Sequence, residues 1–425
     1  MNGTTDGVEY DAIVVGSGVA GATIARELSR RGRRVLVLER GPDLRPGNGL
    51  IAMATKLDAV PVGDGMAAAK ADLVGGTTAF YFGVADAPAL DAFRALGVEL
   101  SAELAEATAE LRIGPLPGAL MGVRAANVRD AARGLGHDWK ARDMFVDPGR
   151  TGGRYAPDAR WSARAHLDEA IANGAILIDR AKALRAIVEG GRAVGVEYER
   201  TVGRGAPVRH RVHGARVVFA AGAAATPRLL RDSGLGDFGN AGFYCDPSFI
   251  VFGRIDRSGD IDNFGGAMGT DPDDGVMLGD ANFCGTLHRV LMLVNRRPLQ
   301  MFLRSRTIGV GVMVRDALGG GVDAEGNFRK TLAPEDHARL ERGEAQAREI
   351  VRAAGGRDLF RSRNSAAHLG GMVRIGEHVD ADLRAACEGL YVCDGSIVPQ
   401  RAMGSPTLSL VCLGKYAAKR IERGW

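Results

Sequence analysis

Gly16-Ser17-Gly18-Val19-Ala20-Gly21 stands between two short apolar runs, and its setting decides the fold. Before it, Tyr10 to Val15 is apolar and β-branched and reads as a buried strand. After it, Ile24, Ala25 and Leu28 recur at helical spacing. Val35-Leu36-Val37-Leu38 is a second buried strand, and it ends at Glu39. Strand, glycine loop, helix, strand and terminal carboxylate make the β-α-β unit that binds a dinucleotide. Gly16 permits the tight turn out of the strand, Gly18 lets backbone approach a pyrophosphate, and Gly21 lets the helix lie close on the strand. The helix N-terminus offers unpaired N–H groups to phosphates. Glu39, 18 residues past Gly21, can accept ribose hydroxyls and disfavours a 2′-phosphate. An Ala- and Gly-rich chain produces glycine triplets by composition, but not with two strands, a helix and a Glu in register. The unit alone does not say which dinucleotide it binds.

The 425 residues exceed what one small core needs, so two structural parts are expected. Apolar residues at 46% and charged residues at 25% are those of a globular chain. The net charge is +4, and only seven of the 55 basic residues are Lys. No basic cluster with interleaved aromatics stands out, so a nucleic-acid partner is not expected. The five Cys (Cys245, Cys284, Cys387, Cys393 and Cys412) are odd in number and lack metal-knuckle spacing. Reduced thiols in the cytoplasm fit them, and no metal site is expected. Met1 to Tyr10 is polar and acidic, unlike a signal peptide. No apolar run reaches the roughly 18 to 20 residues of a transmembrane segment. Peripheral membrane contact stays open.

Pro42 to Leu73 is poorly patterned. Gly75-Gly76-Thr77-Thr78 then offers a turn with exposed N–H and O–H donors, which suits a cofactor's phosphate or ring edge and equally an ordinary loop. Residues 101 to 111 and Ala163 to Ala172 read as helices, and Gly149 to Asp158 as loop. Ala175 to Ile178 and Ala193 to Tyr198 read as strands, with Glu189-Gly190-Gly191-Arg192 as a hairpin turn. Val217 to Ala221 is a buried strand ended by Gly222. From Phe243 to Leu303 apolar runs such as Phe249 to Phe252 and Val290 to Val294 alternate with Gly/Asp turns, which suggests an antiparallel sheet. Pro334 to Ala354 reads as an amphipathic helix, Leu390 to Cys393 as the last strand, and about Pro406 to Ile421 as a final helix.

His368 lies among small residues in Ala366-Ala367-His368-Leu369-Gly370-Gly371, which leave room for a substrate. A neutral imidazole accepts an alcohol proton near neutral pH. A buried structural His is the competing reading. Ser405-Pro406 opens the final helix, Ser as N-cap and Pro at the first helical position. That helix N-terminus could also stabilise negative charge on a bound ring.

Taken in order, these motifs resemble the glucose-methanol-choline (GMC) oxidoreductases, of which this is a short member. Tyr10 to Gly41 resembles the family's FAD unit, and Gly75-Gly76-Thr77-Thr78-Ala79 its flavin loop. Ala221-Gly222-Ala223-Ala224-Ala225-Thr226-Pro227-Arg228-Leu229-Leu230 with Ser233-Gly234-Leu235-Gly236 is similar to the second family signature, and Arg192 to Val196 to the strand before it. His368 falls on the family's catalytic His. Tyr391 to Ser396 with Pro399 resembles the last flavin-contacting strand, and Ser405-Pro406-Thr407 the family's Asn-Pro-Thr. Gly239 to Pro247, with Asp246-Pro247, resembles the entry to the substrate domain.

The resemblance implies FAD rather than NAD. It implies an α/β fold, α+β overall: a Rossmann-like FAD domain from residues 1–90, 155–240 and 366–425, and a substrate domain with an antiparallel sheet and helices from 91–154 and 241–365. The implied FAD contacts are Gly16, Gly18, Gly21, Glu39, Arg40, Gly75, Gly76, Thr77, Thr78, Ala183, Ala221, Gly222, Asp394, Gly395, Pro406 and Thr407. The implied catalytic residues are His368 and Ser405: His368 takes the hydroxyl proton of an alcohol while hydride passes to flavin N5. The partners are a small-molecule alcohol and an acceptor that is oxygen, a quinone or a redox protein. No His lies between Gly75 and Ala85, so FAD is expected to be non-covalent. Ser405 stands where the family has Asn or His. It keeps two alternatives alive: dehydrogenation or desaturation of a carbonyl-containing substrate, and flavin chemistry on a non-alcohol.

Overall fold

A computed structural model describes residues 9–44, 56–201, 203, 205–238, 241–256, 263–323 and 325–425. The glycine-loop unit forms as its pattern dictates: strand Tyr10–Val15, helix Val19–Ser29, strand Val35–Leu38. Val35, Leu36 and Val37 are all fully buried. Successive strand residues point to opposite faces, so both faces of this sheet are covered.

Tyr10–Val15 pairs in parallel with Val35–Leu38 on one side and with the end of Val208–Phe219 on the other. Ile176–Ile178 and Leu390–Val392 extend the parallel array outward. The start of Val208–Phe219 instead pairs antiparallel with Arg192–Arg200, which pairs with Ala181–Glu189. One 12-residue strand therefore belongs to a parallel sheet at its end and to an antiparallel meander at its start. Helix Val19–Ser29 packs against helix Ala163–Ala172 and the final helix Thr407–Glu422. The latter crossing is close: a Cβ on Gly414 would lie 2.8 Å from the Thr23 Cβ.

A second, nine-stranded sheet is mostly antiparallel and runs Leu57–Gly63, Met66–Ala71, Ser365–Ala366, Pro247–Arg254, Thr307–Val314, Val276–Asp280, Met268–Gly269, Lys140–Ala141. Arg357–Arg361 also pairs with Pro247–Arg254. Helices Val123–Gly134 and Pro334–Ala353 pack on it. The molecule is a mixed α/β fold, with a hydrophobic core continuous through both sheets.

Two expectations are corrected. Val290 to Val294 is not a strand but the end of helix Gly285–Val294. Its apolar residues belong to a longer helical repeat (Leu287, Leu291, Val294), and a five-residue run cannot show that period. Residues 57–71, expected within the Rossmann part, form a hairpin that joins the second sheet through Ala68 and Ala366. Its turn is Gly63-Asp64-Gly65, all at positive φ, and Asp64-Gly65 is itself a hairpin signal. Gly239, in the expected entry to the substrate domain, lies outside the described residues.

Candidate active site

The three glycines of the first loop face different surroundings. A Cβ on Gly16 would lie 2.3 Å from the Ala220 carbonyl oxygen, and one on Gly21 would lie 2.1 Å from the Gly16 carbonyl oxygen. Both are requirements of the fold itself. A Cβ on Gly18 would meet nothing within 4 Å, and the same holds for Gly222 at φ +89°. These two backbones border open space, as a cradle for a cofactor must. Gly76 closes on Gly18, its notional Cβ 3.3 Å from the Gly18 Cα, and the Gly75 N–H donates to the Ser17 hydroxyl at 3.1 Å. The two glycine loops, 57 residues apart from Gly18 to Gly75, thus form one surface. Thr78 is buried and accepts from the Ala163 N–H, whereas Thr77 is exposed.

Glu39 is buried at the strand end. Its carboxylate accepts from the Ser17 N–H and hydroxyl and from the Gly41 N–H. Burial raises its pKa and these three donors oppose the rise. Its first task is to brace the glycine loop, with remaining lone-pair capacity for a ribose. Arg40 points elsewhere: its guanidinium pairs with Asp72 at the surface. Ala183 is half-buried in Ala181–Glu189, two residues past Ala181, whose N–H donates to the Glu39 carbonyl.

Asp394 joins the C-terminal segment to this floor. One carboxylate oxygen accepts from the Gly222 N–H and Thr226 hydroxyl, the other from the Ser396 N–H and hydroxyl. Burial raises this carboxyl, and the same bonds pull it back. A Cβ on Gly395 would lie 3.3 Å from the Leu369 carbonyl oxygen, next to His368.

His368 Nδ1 lies 3.2 Å from a carboxylate oxygen of Asp246. Asp246 is 1% exposed and has φ +44°. Burial raises its pKa, opposed by the bond to His368. Its backbone N–H is anchored on a buried ion pair, Asp316 with Lys330 at 2.7 Å. Asp316 accepts from the Cys245 and Asp246 N–H groups, and the Lys330 ammonium donates to the carbonyls of Phe243 and Ala317. Among the described residues His368 Nε2 has no hydrogen-bond partner, and the side chain is 26% exposed. The sequence contains Asp246-Pro247 but no local sign that Asp246 meets a His 122 residues away.

Ser405 is not the cap expected of it. The final helix begins at Thr407 with Pro406 at the N-cap, and the Ser405 hydroxyl donates to the Thr407 hydroxyl at 3.2 Å. The Ser405 N–H donates to Asp86 at 2.7 Å, and Asp86 pairs with Arg142. No hydrogen bond links His368 to Ser405 among the described residues.

Comparison with known proteins matches this architecture in three places. A model for the NAD(P)-binding Rossmann-like domain matches residues 14–47. Two models described as GMC oxidoreductase match residues 118–244 and 322–414. The chain belongs to the GMC oxidoreductase family. An uncharacterized GMC-type oxidoreductase of Mycobacterium tuberculosis is 28% identical over 96% of this chain and 75% of its own. An uncharacterized protein of Methanocaldococcus jannaschii is 24% identical over 97% of this chain and 100% of its own. Among solved structures, a formate oxidase variant of Aspergillus oryzae superposes with a TM-score of 0.76 at 14% identity, covering 99% of each chain. Pyridoxine 4-oxidase from Mesorbium loti gives 0.70 at 16% identity, covering 98% of this chain and 99% of that one. As a GMC oxidoreductase the protein is an FAD-binding enzyme. His368, Asp394 and Ser405 lie inside the second GMC match, and Asp246 lies two residues past the end of the first.

Proposed function

We propose that this enzyme oxidises an alcohol CH–OH to a carbonyl, with His368 receiving the hydroxyl proton. The Asp246–His368 pair is the observation that supports it most. A carboxylate accepting from Nδ1–H makes Nε2 the basic nitrogen and orients the ring. The proton taken at Nε2 then creates a positive charge beside a buried negative one, so Asp246 favours the product of the transfer. The Ser405 hydroxyl, which donates to Thr407, has lone pairs left to accept from a substrate hydroxyl and is too weak a base to replace His368. FAD, when bound, supplies the acceptor for the hydride leaving the alcohol carbon.

We assign FAD to the surface made by Gly16, Gly18, Gly21, Gly75, Gly76, Thr77, Thr78, Ala221 and Gly222, closed by Asp394, Gly395, Pro406 and Thr407. Non-covalent binding accords with the lack of a His in the flavin loop. The FAD part then comprises the segments of 1–90, 155–240 and 366–425 that build the parallel sheet and its helices. The second sheet, within 91–154 and 241–365 together with the 57–71 hairpin, supplies the substrate part. We place the enzyme in the cytoplasm, in accord with five unpaired cysteines, four of them buried.

The test is anaerobic mixing of the yellow holoenzyme with polyols, sugars and aromatic alcohols. Bleaching of the flavin band by at least one is expected, followed by reoxidation with oxygen, quinone analogues or dyes. A His368→Ala enzyme that bleaches at the parental rate would remove His368 from the mechanism. A panel that leaves the flavin oxidised throughout would remove the alcohol reading.

A further inference from the structure

Between Asp280 and Asp316 the chain has no acidic residue and six arginines: Arg289, Arg296, Arg297, Arg304, Arg306 and Arg315. This stretch holds helix Gly285–Val294 and the 3-10 turns Pro298–Phe302 and Arg304–Arg306. The helix is amphipathic in an unusual sense. It buries His288 and Met292 and turns Leu293 (54% exposed) and Val294 (59%) to solvent. The turn that follows exposes Leu299 (84%) and Phe302 (80%). Arg289, Arg296, Arg297 and Arg306 are exposed on the same segment. Arg297 lies over the Phe360 ring at 4.7 Å. Arg289, Arg296 and Arg306 form no ion pair among the described residues. Other surface arginines are paired with carboxylates, among them Arg30 with Glu169, Arg33 with Glu422 and Arg384 with Asp380.

Four large apolar side chains in water, on a face with unpaired guanidinium groups, specify what can cover them. A two-fold contact with a second copy would set the arginines of this stretch against one another, with no acidic residue between Asp280 and Asp316 to answer them. A hydrophilic polyanion would answer the arginines and leave Leu299 and Phe302 in water. An anionic bilayer answers both: apolar groups enter the headgroup–acyl boundary while guanidinium groups stay at the phosphates. No helix of the described residues is long and apolar enough to cross a membrane, so the contact is interfacial.

We propose that the face formed by Leu293, Val294, Leu299 and Phe302 with Arg289, Arg296 and Arg306 docks the protein on an anionic lipid surface. The place of this face in the fold gives docking a use. The helix follows directly on Phe283-Cys284, and the Phe283 ring stacks on Phe82 with centroids 4.9 Å apart. Phe82, itself 43% exposed, lies between the Gly75–Thr78 loop and Asp86, which holds Ser405. The docking face adjoins the segment that frames the candidate site. A lipid-dissolved substrate or electron acceptor would therefore approach on this side. Docking by this face does not depend on the alcohol chemistry.

The experiment is co-sedimentation of the full-length holoenzyme with vesicles of phosphatidylcholine alone and of phosphatidylcholine containing phosphatidylglycerol. Three proteins are compared: the parent, Leu299→Ser with Phe302→Ser, and Arg289→Gln with Arg296→Gln and Arg306→Gln. An unchanged flavin spectrum certifies each fold. The parent is expected to partition onto the phosphatidylglycerol vesicles and far less onto phosphatidylcholine. Each Arg→Gln change is expected to lower partition about fivefold at low salt, and the Leu299/Phe302 variant to lose most binding. A parent that stays in the supernatant with anionic vesicles overturns the proposal. So does full binding by the Leu299/Phe302 variant, which would reduce the contact to charge alone. A vesicle-free dimer that dissociates in that variant assigns the face to a second copy instead.

Discussion

Asp246→Asn removes one charge from a site where geometry says that charge acts through His368. At a separation of 3.2 Å an imidazolium and a carboxylate attract by about 5 kcal/mol at an effective dielectric near 20. His368 is 26% exposed, and solvent screening reduces this to about 2 kcal/mol. That corresponds to about a 30-fold slower step for proton uptake at Nε2. Asn can still accept from Nδ1–H through its carbonyl, so ring orientation survives and the loss is electrostatic. The assay is stopped-flow anaerobic flavin bleaching, measured in the parent, Asp246→Asn, His368→Ala and the double variant. If Asp246 works through His368, the Asp246→Asn loss vanishes in the His368→Ala background. Equal losses in both backgrounds would refute the reasoning and make Asp246 a structural residue. No loss in either would show that the pair carries no weight in the reaction.

Three further outcomes follow from the same geometry. Gly18→Ala adds a methyl that meets nothing within 4 Å of the chain, whereas Gly21→Ala puts one 2.1 Å from a carbonyl oxygen. Gly18→Ala should keep the apoprotein's stability to within about 0.5 kcal/mol and weaken FAD binding at least about tenfold, while Gly21→Ala should lose about 3 kcal/mol; flavin titration and urea melts separate them, and normal FAD affinity in Gly18→Ala would contradict the cradle. Lys330→Met leaves the buried Asp316 uncompensated and should cost about 3–5 kcal/mol in a urea melt; a cost below about 1 kcal/mol would show that the ion pair does not hold the Asp246 turn. Asp280 is buried, one of its carboxylate oxygens has no partner among the described residues, and burial pushes its pKa up to about 7. Because the folded value is above the unfolded one, its contribution to stability is greatest at low pH and declines from about pH 4 to 7, by up to about 4 kcal/mol. Asp280→Asn should flatten that part of the stability–pH curve, and an unchanged curve would show that Asp280 ionises normally.

How much could be read before folding depended on the range of the interaction. The Tyr10–Glu39 unit was legible because its signals are local: glycines, a helical repeat and two apolar strands within 30 residues. The helix that ends with Val290 to Val294 is not legible there, because five consecutive apolar residues have no visible period. The 57–71 hairpin had a local cue in Asp64-Gly65, but its membership of the second sheet depends on Ala68 meeting Ala366. The resemblance implies Arg40 as an FAD contact, and no local pattern in the sequence signals its pairing with Asp72, 32 residues on.

By itself the sequence determined the dinucleotide-binding unit, the order of the glycine loops and the candidacy of His368, since residue type and short spacing carry those features. The tertiary structure alone decided what stands behind His368. A carboxylate 122 residues distant is brought to its Nδ1 by a turn at positive φ, which a buried Lys–Asp pair holds in place. It also decided that Leu299 and Phe302, ordinary core residues by type, lie on the outside among arginines. Exposure is a property of packing, and no local pattern in the chain records which apolar residues the finished core leaves out.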